Sequence, residues 1–270
     1  MMKIKRIVVA LLALSVLAYA GDSKFSLSLR GGYYLPVTST FNDDYLPAVN
    51  QYLNELNSYL TSLDFTSTVS EMKKLKGGAV FGGELEIFAS QQFSIALGAE
   101  YWSKKTAGSI DSEGTIDDVS YQISEGSLIK TTVIPIVATF RVNLPFKSFR
   151  AYIGGGVGYY LGKVKVEDSW SWIEGSETVD SGTREVKSSG SSFVPHANIG
   201  VDLNLSGSIV LAADIRYPFG SINSFKIKSD TEDENMIGEK LTFMDMNGAE
   251  KDFKLELSGP SLGIKLKILF

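Results

Sequence analysis

Ser261-Leu-Gly-Ile-Lys-Leu-Lys-Ile-Leu-Phe270 alternates an apolar stripe, Leu262, Ile264, Leu266, Ile268 and Phe270, with small or charged residues. A period of two places that stripe on one face of an extended strand, with Lys265 and Lys267 on the other. A strand of this kind suits a wall that has an apolar medium outside and a polar interior.

Seven further segments repeat the alternation, at 25–37, 79–89, 93–102, 131–144, 149–166, 193–205 and 209–217. Eight strands result, or ten if part of the last connection is counted. The connections are alternately short (90–92, 145–148, 206–208) and long, near 38–78, 103–130, 167–192 and 218–258. Short turns at one end and long loops at the other are the asymmetry of an outer-membrane barrel with both termini in the periplasm.

Alternation alone leaves open which face is inside, because a soluble barrel points its apolar side chains inward. The aromatics decide it. Phe25, Phe93, Phe140, Phe149 and Phe270 fall near the short-turn ends of the apolar face, and Tyr33, Phe81, Tyr101, Tyr159, Phe193 and Tyr217 near the long-loop ends. Two aromatic rings bounding a belt of Leu, Ile, Val and Ala match the interfacial girdles of a lipid-facing wall. The expected fold is all-β: an antiparallel up-and-down transmembrane β-barrel of eight strands.

Lys3, Lys5 and Arg6, the apolar run 7–18 and Ala18-Tyr19-Ala20 have the three-part layout of a secretory signal over residues 1–20, leaving 21–270 as a single barrel domain. The apolar run is short of the roughly 20 residues a spanning helix needs. There is no cysteine, which excludes disulfides and thiolate metal sites. A net charge of −5 argues against a nucleic-acid partner.

Together these features resemble the small outer-membrane β-barrel proteins of Gram-negative bacteria, the OmpA, OmpX and OmpW type. Ala151-Tyr-Ile-Gly-Gly-Gly-Val-Gly-Tyr-Tyr160 resembles the glycine-rich strand frequent in that superfamily. Gly263, Leu266, Ile268 and Phe270 resemble its carboxyl-terminal assembly signal. The resemblance implies an integral outer-membrane location, contact with outer-membrane lipid and lipopolysaccharide, and handling by periplasmic chaperones and the barrel-assembly machinery. It implies no shared activity: members include structural proteins, adhesins, small-solute channels and a few lipid A enzymes.

Eight strands enclose a space just wide enough for side chains. The inward face would carry Glu84, Glu86, Glu100, Asp202 and Asp214 against Arg30, Arg141, Arg150, Arg216, Lys265 and Lys267. Buried charges must pair, so a salt-bridge network filling the lumen is expected. The sharper alternative is a narrow conduit in which the pairs exchange partners. Near the long-loop end, Tyr34, Trp102, Tyr160 and Val194 would line a vestibule for a small hydrophobic molecule, or else pack the mouth shut. His196, the single histidine, falls on the inward face beside Asn198 and Asp202. That placement favours a member of the polar network over a lipid A-modifying catalyst.

In the first long loop Leu46, Val49, Leu53, Leu56, Leu60 and Leu63 recur at spacings of three and four, after Asp43-Asp44 as caps and with Pro47 in the first turn. This predicts an amphipathic helix lying over the barrel mouth or against another loop, with a protein partner as the alternative. In the last loop Asn247-Gly248 predicts a type I′ hairpin, as a ribbon continuing into the last strand. The acidic run near Asp230 lacks the glycine of a calcium loop, because Asn235 stands there. The expected protein is a monomer with no catalytic residue, metal or cofactor, acting in envelope structure or surface interaction. The alternatives are a narrow porin-like channel or a carrier of small hydrophobic solutes.

Overall fold

The computed structural model describes residues 25–270, so the signal segment 1–20 lies outside them. Eight strands form the wall: β1 (Phe25–Tyr34), β2 (Gly78–Phe88), β3 (Phe93–Ile116), β4 (Val119–Pro145), β5 (Phe149–Glu174), β6 (Glu177–Asn204), β7 (Ile209–Pro218) and β8 (Ser261–Leu269). Each is antiparallel to its neighbours in sequence. β8 closes the ring on β1, from Ser26 opposite Leu269 to Tyr34 opposite Ser261. The barrel therefore has eight strands, not ten.

Inward glycines are densest in one strand. In β5, Gly154, Gly156 and Gly158 point inward between larger side chains of β4 and β6. A Cβ on Gly156 would stand 1.9 Å from the Ala138 carbonyl oxygen. Thr139 of β4 and His196 of β6 are both opposite Gly156, and their side chains meet across it at 2.8 Å.

The outward stripe carries the two girdles. Phe25 stacks on Phe270 at 4.9 Å, Phe93 on Phe140 at 5.7 Å and Phe146 on Phe149 at 4.5 Å near the short-turn end. Near the other end Tyr159 meets Phe193 at 4.9 Å, and Phe81 stands opposite Tyr101. Stacked rings recover part of the packing that an outward residue otherwise lacks.

The segments 103–130 and 167–192, expected as loops, are continuations of the wall. β3 and β4 stay paired up to Ile116 opposite Val119, and β5 and β6 up to Glu174 opposite Glu177. The first ribbon turns through Asp117 and Asp118, with φ of 50° and 65°, and the second through Gly175 at 61°. The alternation persists there with its chemistry exchanged. Inward positions of β3 become Thr106, Gly108 and Ile110, while outward ones become Lys105, Asp111 and Glu113. A strand recognised by its outward apolar stripe thus stops being legible where the lipid ends.

Two short strands extend the edges of this upper sheet. Residues Thr66–Ser70 pair with Ser109 to Glu113 of β3, and Lys226–Asp230 pair with Val186 to Ser189 of β6. Helix α1 (Leu46–Ser62) fills the concave side, burying Leu46, Leu53 and Leu60 at heptad spacing. Leu53 and Leu60 pack with Phe65 and Ile110, whereas Leu46 joins the core over the mouth. Leu63, assigned to the apolar seam, is exposed beyond the helix end.

Asp43 and Asp44 do not cap α1. They lie within a six-residue π-helical turn, Thr40–Tyr45, that leads directly into it. Asn50, on the polar face of α1, grips the backbone of Met72: its amide donates to the Met72 carbonyl at 3.1 Å and its oxygen accepts the Met72 N–H at 2.8 Å.

The last loop also differs from expectation. Thr242–Met244 pair with Glu250–Asp252, but only Gly248 has positive φ, 72°. The turn runs from Asp245 to Ala249, closed by Gly248 N–H to Asp245 C=O at 2.9 Å. Asn247 thus lies outside the left-handed region that a two-residue type I′ turn demands of both central residues. The chain then crosses the mouth, pairing Leu255–Glu256 with Ser221–Ile222 before it enters β8.

Candidate functional site: the barrel lumen and the extracellular cup

Inside the wall, alternation from all eight strands brings the acidic and basic residues into one column. Glu84 accepts from Arg141 at 2.7 Å and Lys265 at 3.0 Å, and lies 3.5 Å from Arg216. Lys265 also reaches Asp214 at 3.2 Å. Toward the mouth, Arg30 bridges Glu100 at 3.2 Å and Asp214 at 3.1 Å, and Arg216 pairs with Glu100. Toward the periplasm, Lys267 bridges Glu86 and Asp202, each at 2.9 Å, and Arg150 also pairs with Asp202. Arg141 joins the levels by lying 3.2 Å from Glu86.

All eleven charged residues assigned to the lumen face it. Apart from Arg150, whose side chain is 20% exposed, their side chains are at most 6% exposed. Three neutral residues on the same inward faces join the network as partners that the charges alone do not announce. Ser94 donates to Glu86 at 2.7 Å, Asn143 donates to Ser94 at 3.1 Å, and the Tyr152 ring lies 4.7 Å from the Arg141 guanidinium and 5.3 Å from the Lys267 ammonium. Only their inward parity could have signalled them. Their short or aromatic side chains carry no charge to answer.

Gly263 belongs to this column as well. A Cβ there would stand 2.4 Å from Arg30 Nε, so glycine clears the guanidinium. Leu266, Ile268 and Phe270 are outward and exposed. His196 is buried in the lumen and bonded through Nε2 to Thr139, away from the lipid-facing wall.

Tyr34, Trp102, Tyr160 and Val194 come together above the charges but form no open vestibule. All are buried, the Tyr34 and Trp102 rings meet edge to face at 5.7 Å, and Tyr34 donates to the Leu257 carbonyl. The space among them is about 20 Å³, close to the minimum that holds one water. Phe41, Tyr45, Phe225, Phe243 and Phe253 continue the packing upward through ring contacts between 5.3 and 6.0 Å. Large side chains supplied by the loops therefore close the mouth.

Above this plug lies a cup of about 800 Å³, between α1, the inner faces of the two ribbons and the last loop. Val166, Phe243 and Phe253 contribute to its apolar lining, and Glu125, Asp168, Arg184 and Asp230 are its charged wall residues from the ribbons and the 226–230 strand. Arg184 donates to Asp230 through Nε at 3.1 Å and Nη2 at 2.6 Å. That hydrogen bonding holds the Asp230 carboxyl down at about 2. Tyr52 donates to Glu125 at 2.7 Å. Partial burial, then this bond, pushes the phenol up to about 12. The sequence reading missed the cup because its walls fell in segments taken for loops.

The chain matches the family model described as outer membrane protein beta-barrel domain over residues 7–244. Among solved structures, it is similar to the amino-terminal β-barrel domain of Pseudomonas aeruginosa OprF, at 9% identity over 92% of this chain and 98% of that one, with a TM-score of 0.33. Ail, the attachment invasion locus protein of Yersinia pestis, matches at 10% identity over 93% and 100%, with a TM-score of 0.30. Acinetobacter baumannii CarO matches at 10% identity over 76% and 95%, with a TM-score of 0.35. No curated protein matches the chain.

Proposed function

The chain belongs to the outer membrane protein beta-barrel domain family and is integral to the outer membrane, and from that premise we propose that it is a non-conducting, non-enzymatic protein of surface interaction. One observation carries the reading: the passage is blocked by paired charges and again by an aromatic plug, while a cup stands open outside. A conduit would have to break buried ion pairs, each costing about 3–5 kcal/mol when one partner is removed, and also lift the plug. In this reading the barrel anchors a rigid extracellular platform, and its lumen charges hold the wall together.

Lipid contact fits the same picture. Lys105 of β3 stands opposite Lys130 of β4, on the outward face above the Tyr101 level, with Lys163 of β5 one row nearer the membrane. Like charges directly opposite destabilise a sheet unless an anion lies between them, and phosphorylated lipopolysaccharide headgroups would supply one. Gly263, Leu266, Ile268 and Phe270 would serve delivery by chaperones to the assembly machinery, as a monomer.

Planar-bilayer recording tests the reading. Purified protein is expected to give no discrete conductance steps. Reproducible steps would transfer the function to a conduit whose ion pairs exchange partners.

A further inference from the structure

The cup has a chemical bias. Its one lining guanidinium, Arg184, is occupied by Asp230 through two hydrogen bonds. Neither Glu125 nor Asp168 makes an ion pair within 4 Å among the described residues; Arg184 stands opposite Asp168 in the register, but its hydrogen bonds go to Asp230. Ser127 pairs with Asp168 and Glu125 with Trp170, so the two carboxylates are diagonal neighbours on the inner face of adjacent strands, roughly 7–8 Å apart at the backbone.

Aromatic rings stand beside them. The Trp170 indole lies across Gly182, where a Cβ would come within 2.3 Å of the ring. It is held there by its N–H, which donates to Asp180 at 3.1 Å. Tyr52 adds a second ring, tied to Glu125. Carboxylates framed by electron-rich ring faces attract an organic cation, through charge and through the ring quadrupole. Below them Val166 and Phe243 offer an apolar floor.

We propose that this cup binds small amphipathic organic cations. The ammonium group sits between Glu125, Asp168 and the faces of Tyr52 and Trp170, and an apolar body rests on Val166 and Phe243. Anions meet repulsion there, and neutral molecules forgo the charge. The proposal rests on the extracellular cap being the interaction surface and does not depend on whether the lumen conducts.

The test uses the full barrel in zwitterionic nanodiscs, titrated by calorimetry with phenethylamine, 2-phenylethanol and 3-phenylpropionate. Saturable binding of the amine is expected, at least about tenfold tighter than the alcohol and weaker as salt is added, since exposed charges are screened. The double variant Glu125→Gln/Asp168→Asn should bring the amine to the alcohol's affinity while leaving the alcohol unchanged and the heat-modifiable gel shift intact. An amine that binds no tighter than the alcohol, or binds the double variant as well as the parent, would overturn the proposal. Either failure leaves the sealed-lumen reading to the conductance recording, whose outcome is separate.

Discussion

The lower and upper halves of this barrel obey one geometry with opposite chemistry. Along β4 the odd-numbered residues point inward throughout, as Arg141 and Thr139 below and as Val133 and Ile129 above. The even-numbered residues point outward throughout, as Phe140 and Ile136 below and as Thr132 and Lys130 above. The pleat never slips. What changes is the medium outside. Against lipid the wall turns its apolar side out and must neutralise its polar side within; against water it does the reverse. One chain therefore carries two cores, a column of ion pairs and an ordinary apolar core built jointly from wall and loop side chains.

The comparison breaks most forcibly at the charges. Glu84→Ala would leave Arg141, Arg216 and Lys265 without their shared partner, at a cost of about 3–5 kcal/mol. Urea unfolding in lipid vesicles, read by the heat-modifiable gel shift, should show that loss, and Lys265→Met added to it should restore part. In the upper core, Leu53→Ala should cost about 2–5 kcal/mol by cavity formation, confined to the helix and its neighbours. Limited proteolysis within 40–75 should accelerate while the gel shift stays where it was. A simultaneous fall in both would mean that the two cores unfold as one.

Much of this was legible in the sequence, for a physical reason. An outward apolar stripe with charges between is a strong period-two signal, and once the two aromatic girdles mark the lipid-facing side, Arg30, Glu84, Arg141 and Lys265 can be assigned inward. The ribbons were not legible, because Lys105, Asp111 and Glu113 outside and Thr106 and Ile110 inside give a weaker and reversed contrast. Asn50 escaped because a polar residue on a helix ordinarily reads as solvated, whereas its amide here stands in for a strand edge.

Smaller effects sharpen the boundary. Deleting Phe270 removes the ring stacked on Phe25 and one outward residue of the closing strand, and should lower the yield of folded protein in the membrane several-fold without blocking export. Unchanged yield would deny Phe270 a part in assembly. The mildest effect is acid loosening of the Lys226–Asp230 strand. Asp230 is held at about 2 against an ordinary 3.8, so the stability it gives is complete above about 4 and is lost as pH falls toward 2. Protection of the 226–230 amides, taken relative to their intrinsic exchange at each pH, should fall over that interval, and Arg184→Ala should lower it already at neutral pH.

The central claim, that the exchange of inward and outward chemistry marks the edge of the membrane, is open to one direct measurement. With no native cysteine, single cysteines can be placed at Phe140, Ile136, Ile134, Thr132, Lys130 and Leu128, nitroxide-labelled, and compared for collision with oxygen and with a water-soluble nickel chelate in vesicles. Oxygen should dominate through Ile134 and the chelate from Thr132 upward. Lipid-like accessibility continuing through Lys130 and Leu128, or water-like accessibility already at Ile136, would contradict the account.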